Sequence, residues 1–387
     1  MKRPPAPLAR ALCSWCPTTL VGNSYVVDGR SDPHADGRLT NSGPLVSGIV
    51  MLALLAAICT GLFERPPVAA AGRASAKPPD VGLYLRIIND VHAGRDYYDA
   101  AFQAQRAEGY PVRPFVAVRL PTAAIAMAAL PDAPARVLSL QILAIVTLLA
   151  WVVRLRDLWG RPKLLGAAVL VLASGILPSF AASAYLFHEC WAGLLIALSL
   201  AVRGSRLWPL AVTLGLAACA VRELAAPYLL AMAAMAMKDG RRVEAVGWLA
   251  AIAAFACGLW LHAAAVSPRL RAGDQASPGW LALGGWPFLL SSLRWNIPLG
   301  AARAWLLAIL APVALLGLAD RRDPLGERLA LTVWGYCVAF LFVGRPDNAY
   351  WGLLIAPIWP LGFLTAWQAV RGIGRGLSQI ESGRWRG

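Results

Sequence analysis

Ten apolar runs dominate this chain, at approximately 45–63, 133–153, 164–180, 190–202, 207–221, 224–237, 243–264, 301–319, 327–343 and 350–370. With 58% hydrophobic residues, 15% charged residues and a mean hydropathy of +0.57 over 387 residues, the chain holds more apolar material than a soluble core of its size needs. The pattern predicts an all-α polytopic membrane protein, because a helix satisfies its own backbone groups inside hydrocarbon. Several runs fall short of the roughly 20 residues that cross a bilayer. Their helices are expected to extend into flanking polar sequence.

The formal charge of +15 is the kind of number that suggests nucleic acid. Its distribution argues otherwise, since Lys and Arg sit in short clusters between apolar runs, as membrane orientation requires. No nucleic-acid partner is expected; membrane lipids are. The stretch 114–130, FVAVRLPTAAIAMAALP, carries Arg119 and Pro121 early and decides the topology. If it does not cross, the clusters Arg154/Arg156/Arg161/Lys163, Arg203/Arg206, Lys238/Arg241/Arg242, Arg321/Arg322 and Arg371/Arg375/Arg384/Arg386 all fall on the side of the N-terminal segment. If it crosses, the positive-inside rule fails in every short loop. The sequence therefore predicts about ten spans, both termini cytoplasmic, with 114–130 a re-entrant or interfacial helix.

Three segments follow from that reading. Residues 1–44, rich in Pro, Arg, Gly and Asp, are expected to be a disordered cytoplasmic tail, and 371–387 a basic cytoplasmic tail. Residues 45–370 form one transmembrane domain with two long extracytoplasmic loops, 64–132 and 265–300. A signal peptide does not fit, because the first apolar run begins far into the chain and is long enough to span. The seven cysteines lie mostly in apolar runs and imply no disulfide framework, and Cys13 and Cys16 lack a second ligand pair.

The spans hold essentially no Asp, Glu, Lys or Arg in their interiors; the polar residues gather at one surface. Foremost is 89–122, NDVHAGRDYYDAAFQAQRAEGYPVRPFVAVRLPT. Asp90, Asp96 and Asp99 stand there beside Tyr97, Tyr98 and Tyr110. A carboxylate next to aromatic rings suits transfer to a hydroxyl, as a base with flat surfaces for a sugar. The same carboxylates equally suit the N-terminus of a helix, satisfying its free backbone donors. Both readings stay open at this point.

The pattern DYYDAAFQAQRAEGYPVRPFVAVRLPT, after one apolar run and before many more, resembles the first extracytoplasmic loop of glycosyltransferases of the GT-C superfamily, bacterial members above all. That resemblance implies a multi-pass protein of the bacterial inner membrane with its active site facing the periplasm or exterior. It implies a hexosyl or pentosyl transferase that moves a sugar from a polyprenyl-phosphate-linked donor to a lipid or glycan acceptor, with inversion, using an acid of this loop as general base. No cofactor is required; a divalent cation is compatible. By motif position Asp96 matches the acid, with Asp90 next; Asp90 is followed by Val91, so the Asp-Glu pair of the protein-mannosyltransferase and lipid A aminosugar-transferase branches is absent.

Other outward-facing residues fit the same frame. A departing phosphate needs positive donors, and Arg119, His188, Arg222 and Arg345 are the candidates. Glu189, Glu223, Asp347, Asn348 and Tyr350, with Tyr97, Tyr98, Asp99 and Tyr110, are candidates for sugar or acceptor contacts. The plainer readings are Arg222 and Glu223 snorkelling at a helix end, an aromatic belt at Tyr350 and Trp351, and a cap at His188 and Glu189. No metal site is assigned. Loop 265–300, with Trp280, Trp286 and Trp295, suits a segment bedded in headgroups over an acceptor groove. The alternative function is a carrier or flippase for lipid-linked saccharides, which calls for intramembrane polar groups and broken helices in matching halves.

Overall fold

The computed structural model describes residues 44–63, 79–159, 162–204, 206–296 and 303–381. The expected tail 1–44, with Cys13 and Cys16, lies outside the described residues except for Pro44, as do 382–387 of the expected tail 371–387. Among the described residues the regular elements are helical, and extended pairing is limited to isolated bridges of Arg113 with Ala276 and Leu281 with Val343. The helices are α1 (Pro44–Phe63), α2 (Pro79–His92), α3 (Tyr97–Ala107), α4 (Pro121–Ala128), α5 (Ala133–Trp159), α6 (Pro162–Ile176) and α7 (His188–Val202). They continue as α8 (Trp208–Val221), α9 (Ala226–Lys238), α10 (Arg242–Val266), α11 (Gly285–Leu293), α12 (Ala304–Ala319), α13 (Pro324–Phe342) and α14 (Phe363–Glu381).

Each of the ten apolar runs coincides with helical structure. Among the described residues five helices are long and apolar enough to cross a membrane: Leu45–Phe63, Ala133–Leu158, Pro162–Phe180, Arg242–Arg269 and Pro324–Phe342. The pair Pro346–Leu354 and Trp359–Arg375, bent by 68°, makes a sixth if it counts as one span. Helices α7, α8, α9 and α12 have 15, 14, 13 and 16 residues. At 1.5 Å per residue they reach roughly 20–24 Å, less than the ~30 Å hydrocarbon core. These four reach ten crossings only with their flanking residues.

The stretch 114–130 divides into a 3₁₀ turn, Phe115–Ala117, and the eight-residue α4. Pro121 opens α4 at its first turn, where a missing N–H costs nothing. Eight residues cannot span. Instead α4 lies on α2, with Ala124, Met127 and Ala128 in one apolar cluster with Leu83, Ile87 and Ile88. The spacing of those three α2 residues puts them on a single face.

The alternating direction of the helices gives the bundle two ends with different polar chemistry. At one end Arg203 grips Glu244 through two bonds of 2.8 Å, Arg241 reaches the same carboxylate at 2.9 Å, Lys238 meets Glu327 at 2.5 Å, and Arg328 pairs with Asp239. These pairs tie the exits of α7 and α9 to the starts of α10 and α13. At the opposite end stand α2–α4, the turn before α7, the turn between α8 and α9, and the segment after α13.

Close approach in the interior depends on small residues. A methyl group at Gly193 of α7 would collide with the Leu353 carbonyl, and one at Gly352 with the Ser292 carbonyl. The irregular segment Pro346–Gly362 thus threads against α7 and α11 at backbone distance, the role small residues play between membrane helices. At the periphery α1 is almost unburied and rests Val50, Met51 and Leu54 on Leu316 of α12 and Ala369 and Ile373 of α14. Gly193→Ala is expected to cost about 1–3 kcal/mol, the usual penalty of overpacking. Gly335→Ala in α13, where the added carbon meets open space, is expected to cost nothing. Thermal unfolding of the two variants in detergent checks the contrast.

Candidate functional site

The site lies at the second end of the bundle, where α2, α3 and α4 cover the turns between α6 and α7 and between α8 and α9. It begins with Tyr97. Its ring is buried at the start of α3, and its hydroxyl donates to the Arg119 carbonyl at 2.6 Å. Burial pushes the Tyr97 pKa well up, so the phenol stays a proton donor to that carbonyl. Gln105, two turns along α3, donates to the carbonyls of Pro111 and Ala117 at 3.1 and 3.2 Å. Between them the two side chains fix the loop that carries Arg119.

Arg119 points inward from that loop. Its Nε donates to the Tyr84 hydroxyl at 3.0 Å, and its Nη1 meets Glu223 Oε1 at 3.3 Å. The same carboxylate oxygen accepts from Arg222 Nη1 at 2.6 Å, and Arg222 Nε lies 2.5 Å from Glu189 Oε1. A chain of charges results: Tyr84, Arg119, Glu223, Arg222, Glu189. Burial opposes the charge on Arg119, but Tyr84 and Glu223 outweigh it and hold its pKa well above the ordinary arginine value. His188 stacks edge-on against Tyr84, ring centroids 4.9 Å apart.

Local sequence explains the placement. Arg222 follows α8 in an extended conformation, φ −147° and ψ 114°, which turns its side chain back under the helix end. Glu223 opens a 3₁₀ turn, and Glu189 sits in the first turn of α7, where a carboxylate is favoured by the helix dipole.

Two cavities meet at this chain. Both are narrow, with a free volume of about 20 Å³ each. The first is walled by Leu83, Ile87, Ala123, Ala124 and Met127, and the second is bounded by Phe187, Glu189 and Tyr350. Tyr84, Arg119, Leu186 and His188 line both. A guanidinium at the junction of two narrow, largely apolar clefts can hold an anionic group, and a tail longer than those clefts could enter only by widening them.

Of the residues singled out in the sequence, Arg119, His188, Arg222, Glu189, Glu223, Tyr350 and Tyr97 come together here. The others do not join them. Asp96 is the N-cap of α3, its carboxylate accepting from the Asp99 N–H at 3.1 Å, and it faces outward to Arg269 at 3.4 Å. Asp99 meets Arg269 at 3.1 Å, Asp90 meets Arg95 at 3.2 Å, and neither lines the two cavities. Tyr98 bonds His262 Nδ1 at 3.1 Å and lies under the Arg269 guanidinium. Tyr110 packs against the apolar cluster of α2–α4. Arg345 pairs with Asp347 at 2.9 Å on the exposed rim, and Asn348 Oδ1 accepts from the Arg345 N–H at 3.4 Å.

Tyr84 escaped the sequence reading, although it touches Arg119, His188 and both cavities. Its signal was the apolar spacing of Leu83, Ile87 and Ile88, which makes 79–92 a helix with Tyr84 on the same face, three and four residues before Ile87 and Ile88. Among the described residues, no three His, Cys, Asp or Glu side chains form a metal-sized group. No family model, curated protein or solved structure matches the chain.

Outside the cleft, loop 265–300 is locked to the first loop. Arg106 grips both oxygens of Asp274 at 2.7 and 2.8 Å, and Ser277 N–H donates to the Arg113 carbonyl at 2.7 Å. Further on, Gly344 N–H donates to the Trp280 carbonyl at 2.9 Å. The Arg106 bond holds the Asp274 carboxyl well below its usual range. A depressed folded pKa contributes stability above the unfolded value of about 3.9 and loses it as pH falls through the folded one. The wild-type protein is expected to melt above Asp274→Asn by a constant margin from pH 7 to about 4, with the margin shrinking below. Melting temperatures measured across that range check the lock.

Proposed function

We propose that this protein is an integral-membrane glycosyltransferase of the GT-C kind, moving a sugar from a polyprenyl-phosphate donor to a lipid or glycan acceptor outside the cytoplasm. The observation that carries the reading is Arg119, held between Tyr84 and Glu223 where the two cavities meet. The first cavity, on widening, receives the prenyl stem next to the phosphate, and the guanidinium faces the phosphate oxygens. As the anomeric bond breaks, charge grows on those oxygens, and a fixed cation in a dry site stabilises it more than water does. Arg222, fully buried against Glu189, keeps Glu223 and so Arg119 in position. Tyr350 and His188 line the second cavity on the side where the sugar would lie.

In this proposal the ten apolar helices cross a bacterial inner membrane, the end bearing Arg203, Arg241 and Arg328 faces the cytoplasm, and the cleft faces outward. The positive-inside rule supports that orientation. Thiol labelling with a membrane-impermeant reagent, in a background without Cys59 and Cys257, tests it: Asp347→Cys is expected to react in intact cells and Arg322→Cys only after permeabilisation. The reverse pattern removes the site from the donor's side.

The chemistry is tested in proteoliposomes supplied with polyprenyl-phosphate sugars. Arg119→Gln is expected to lower transfer by about 10²–10³-fold, the loss typical of one preorganised electrostatic donor, without unfolding the protein. Undiminished transfer by that variant sinks the assignment. Movement of labelled lipid-linked sugar across the bilayer without a covalent product would instead make the protein a carrier.

A further inference from the structure

The charges in the cleft sum to zero: Arg119 and Arg222 against Glu189 and Glu223. A balanced network offers little net attraction to an anion, and a buried charge left without its partner is costly. An anion can enter only by taking over the bonds of one carboxylate. The two carboxylates differ in how firmly they are held. Glu189 is 3% exposed and sealed behind Arg222 Nε at 2.5 Å. Glu223 is 21% exposed, stands in the short turn between α8 and α9, and serves both guanidiniums through one oxygen, Oε1. Its bond to Arg119, at 3.3 Å, is the longest in the network, and Arg119 is the guanidinium that lines both cavities.

We infer that Glu223 is an exchangeable counter-ion: a prenyl phosphate entering the cleft takes over Arg119, and the Glu223 carboxylate it displaces becomes the proton acceptor of the transfer step. Glu189 stays in place and keeps Arg222 positioned throughout. In that step the acceptor oxygen attacks the anomeric carbon, and the bond from that carbon to the phosphate oxygen breaks with its electron pair going to the phosphate. The acceptor's proton passes to Glu223. Donor binding therefore releases Glu223 from Arg119 and leaves it on Arg222 alone, whereas in the empty site both guanidiniums hold it. The exchange stands on the geometry of the cleft; only its last step rests on the transferase reading.

The exchange is measured first, without any sugar, as binding of farnesyl phosphate to the full-length protein in nanodiscs, with farnesol as the uncharged control. Removing a competing carboxylate makes Glu223→Gln bind farnesyl phosphate about tenfold tighter, the scale of one close charge-pair coupling, with farnesol binding unchanged. Glu189→Gln gains nothing. If Glu223→Gln does not fold, Glu223→Asp, one methylene shorter and out of reach of Arg119, carries the same expectation. Unchanged or weaker phosphate binding by the folded variant overturns the exchange. Transfer in proteoliposomes reads the second part: Glu223→Gln is expected to lose at least about 100-fold in turnover while binding tighter, and Asp96→Asn to stay within about tenfold of wild type. Wild-type turnover by Glu223→Gln overturns the proton-acceptor role. Tighter phosphate binding with no transfer by any form of the protein sustains the exchange and removes the transferase reading.

Discussion

The grip of Arg222 on Glu189 and Glu223 is the constraint from which the cleft end of this bundle takes its shape. A guanidinium with only 1% of its surface exposed cannot stand alone in a low-dielectric interior. It must find carboxylates, and the two it finds come from the first turn of α7 and from the residue after its own. That fixes the distance between the turn before α7 and the turn after α8. Arg119 then joins from a third direction through Glu223, so the first loop cannot dock without the other two segments already in place. Replacing the whole network by apolar side chains would be compatible with stability.

The elements were readable because their signals are local. Each of the ten apolar runs meets helical structure, and Arg203, Lys238, Arg241 and Arg328 from the charge-bearing segments stand at one end of the bundle. The lengths were less readable: α7, α8, α9 and α12 end where Arg203, Arg222, Asp239 and Asp320 cap them, and no hydropathy pattern states how far a short helix tilts or what flanks it. The candidate residues sorted themselves by distance in the chain. Asp96 and Asp99 were visible as acids, yet their spacing fitted a helix start as well as a base, and Asp96 is observed as the N-cap. Arg119 and Glu223 are 104 positions apart, and Arg106 and Asp274 are 168 apart. Nothing in either neighbourhood names its partner. Such pairs become legible only when packing brings their segments together.

The two long outer loops behave as one layer. Arg106 with Asp274, Arg269 with Asp96 and Asp99, and the backbone bonds at Arg113 bind segment 267–277 to α3 and the chain after it. Trp280 then reaches Gly344, just before the Arg345–Asp347 pair. A segment tied at both ends ranks among the less mobile parts of a surface, because several bonds must open together before it lifts. The residues of this layer are thus held by contacts from separate parts of the chain.

The placement of α1 bears on how the protein assembles. As the first helix described, α1 has few partners among the segments that follow it immediately; Val50, Met51 and Leu54 pack on Leu316, Ala369 and Ile373, some three hundred positions later. Contacts so far apart in sequence form late, since the loop between them must close first. During synthesis α1 therefore waits with its sides unoccupied until α12 and α14 have been made. The earliest of these helices to be synthesised is among the last to be enclosed.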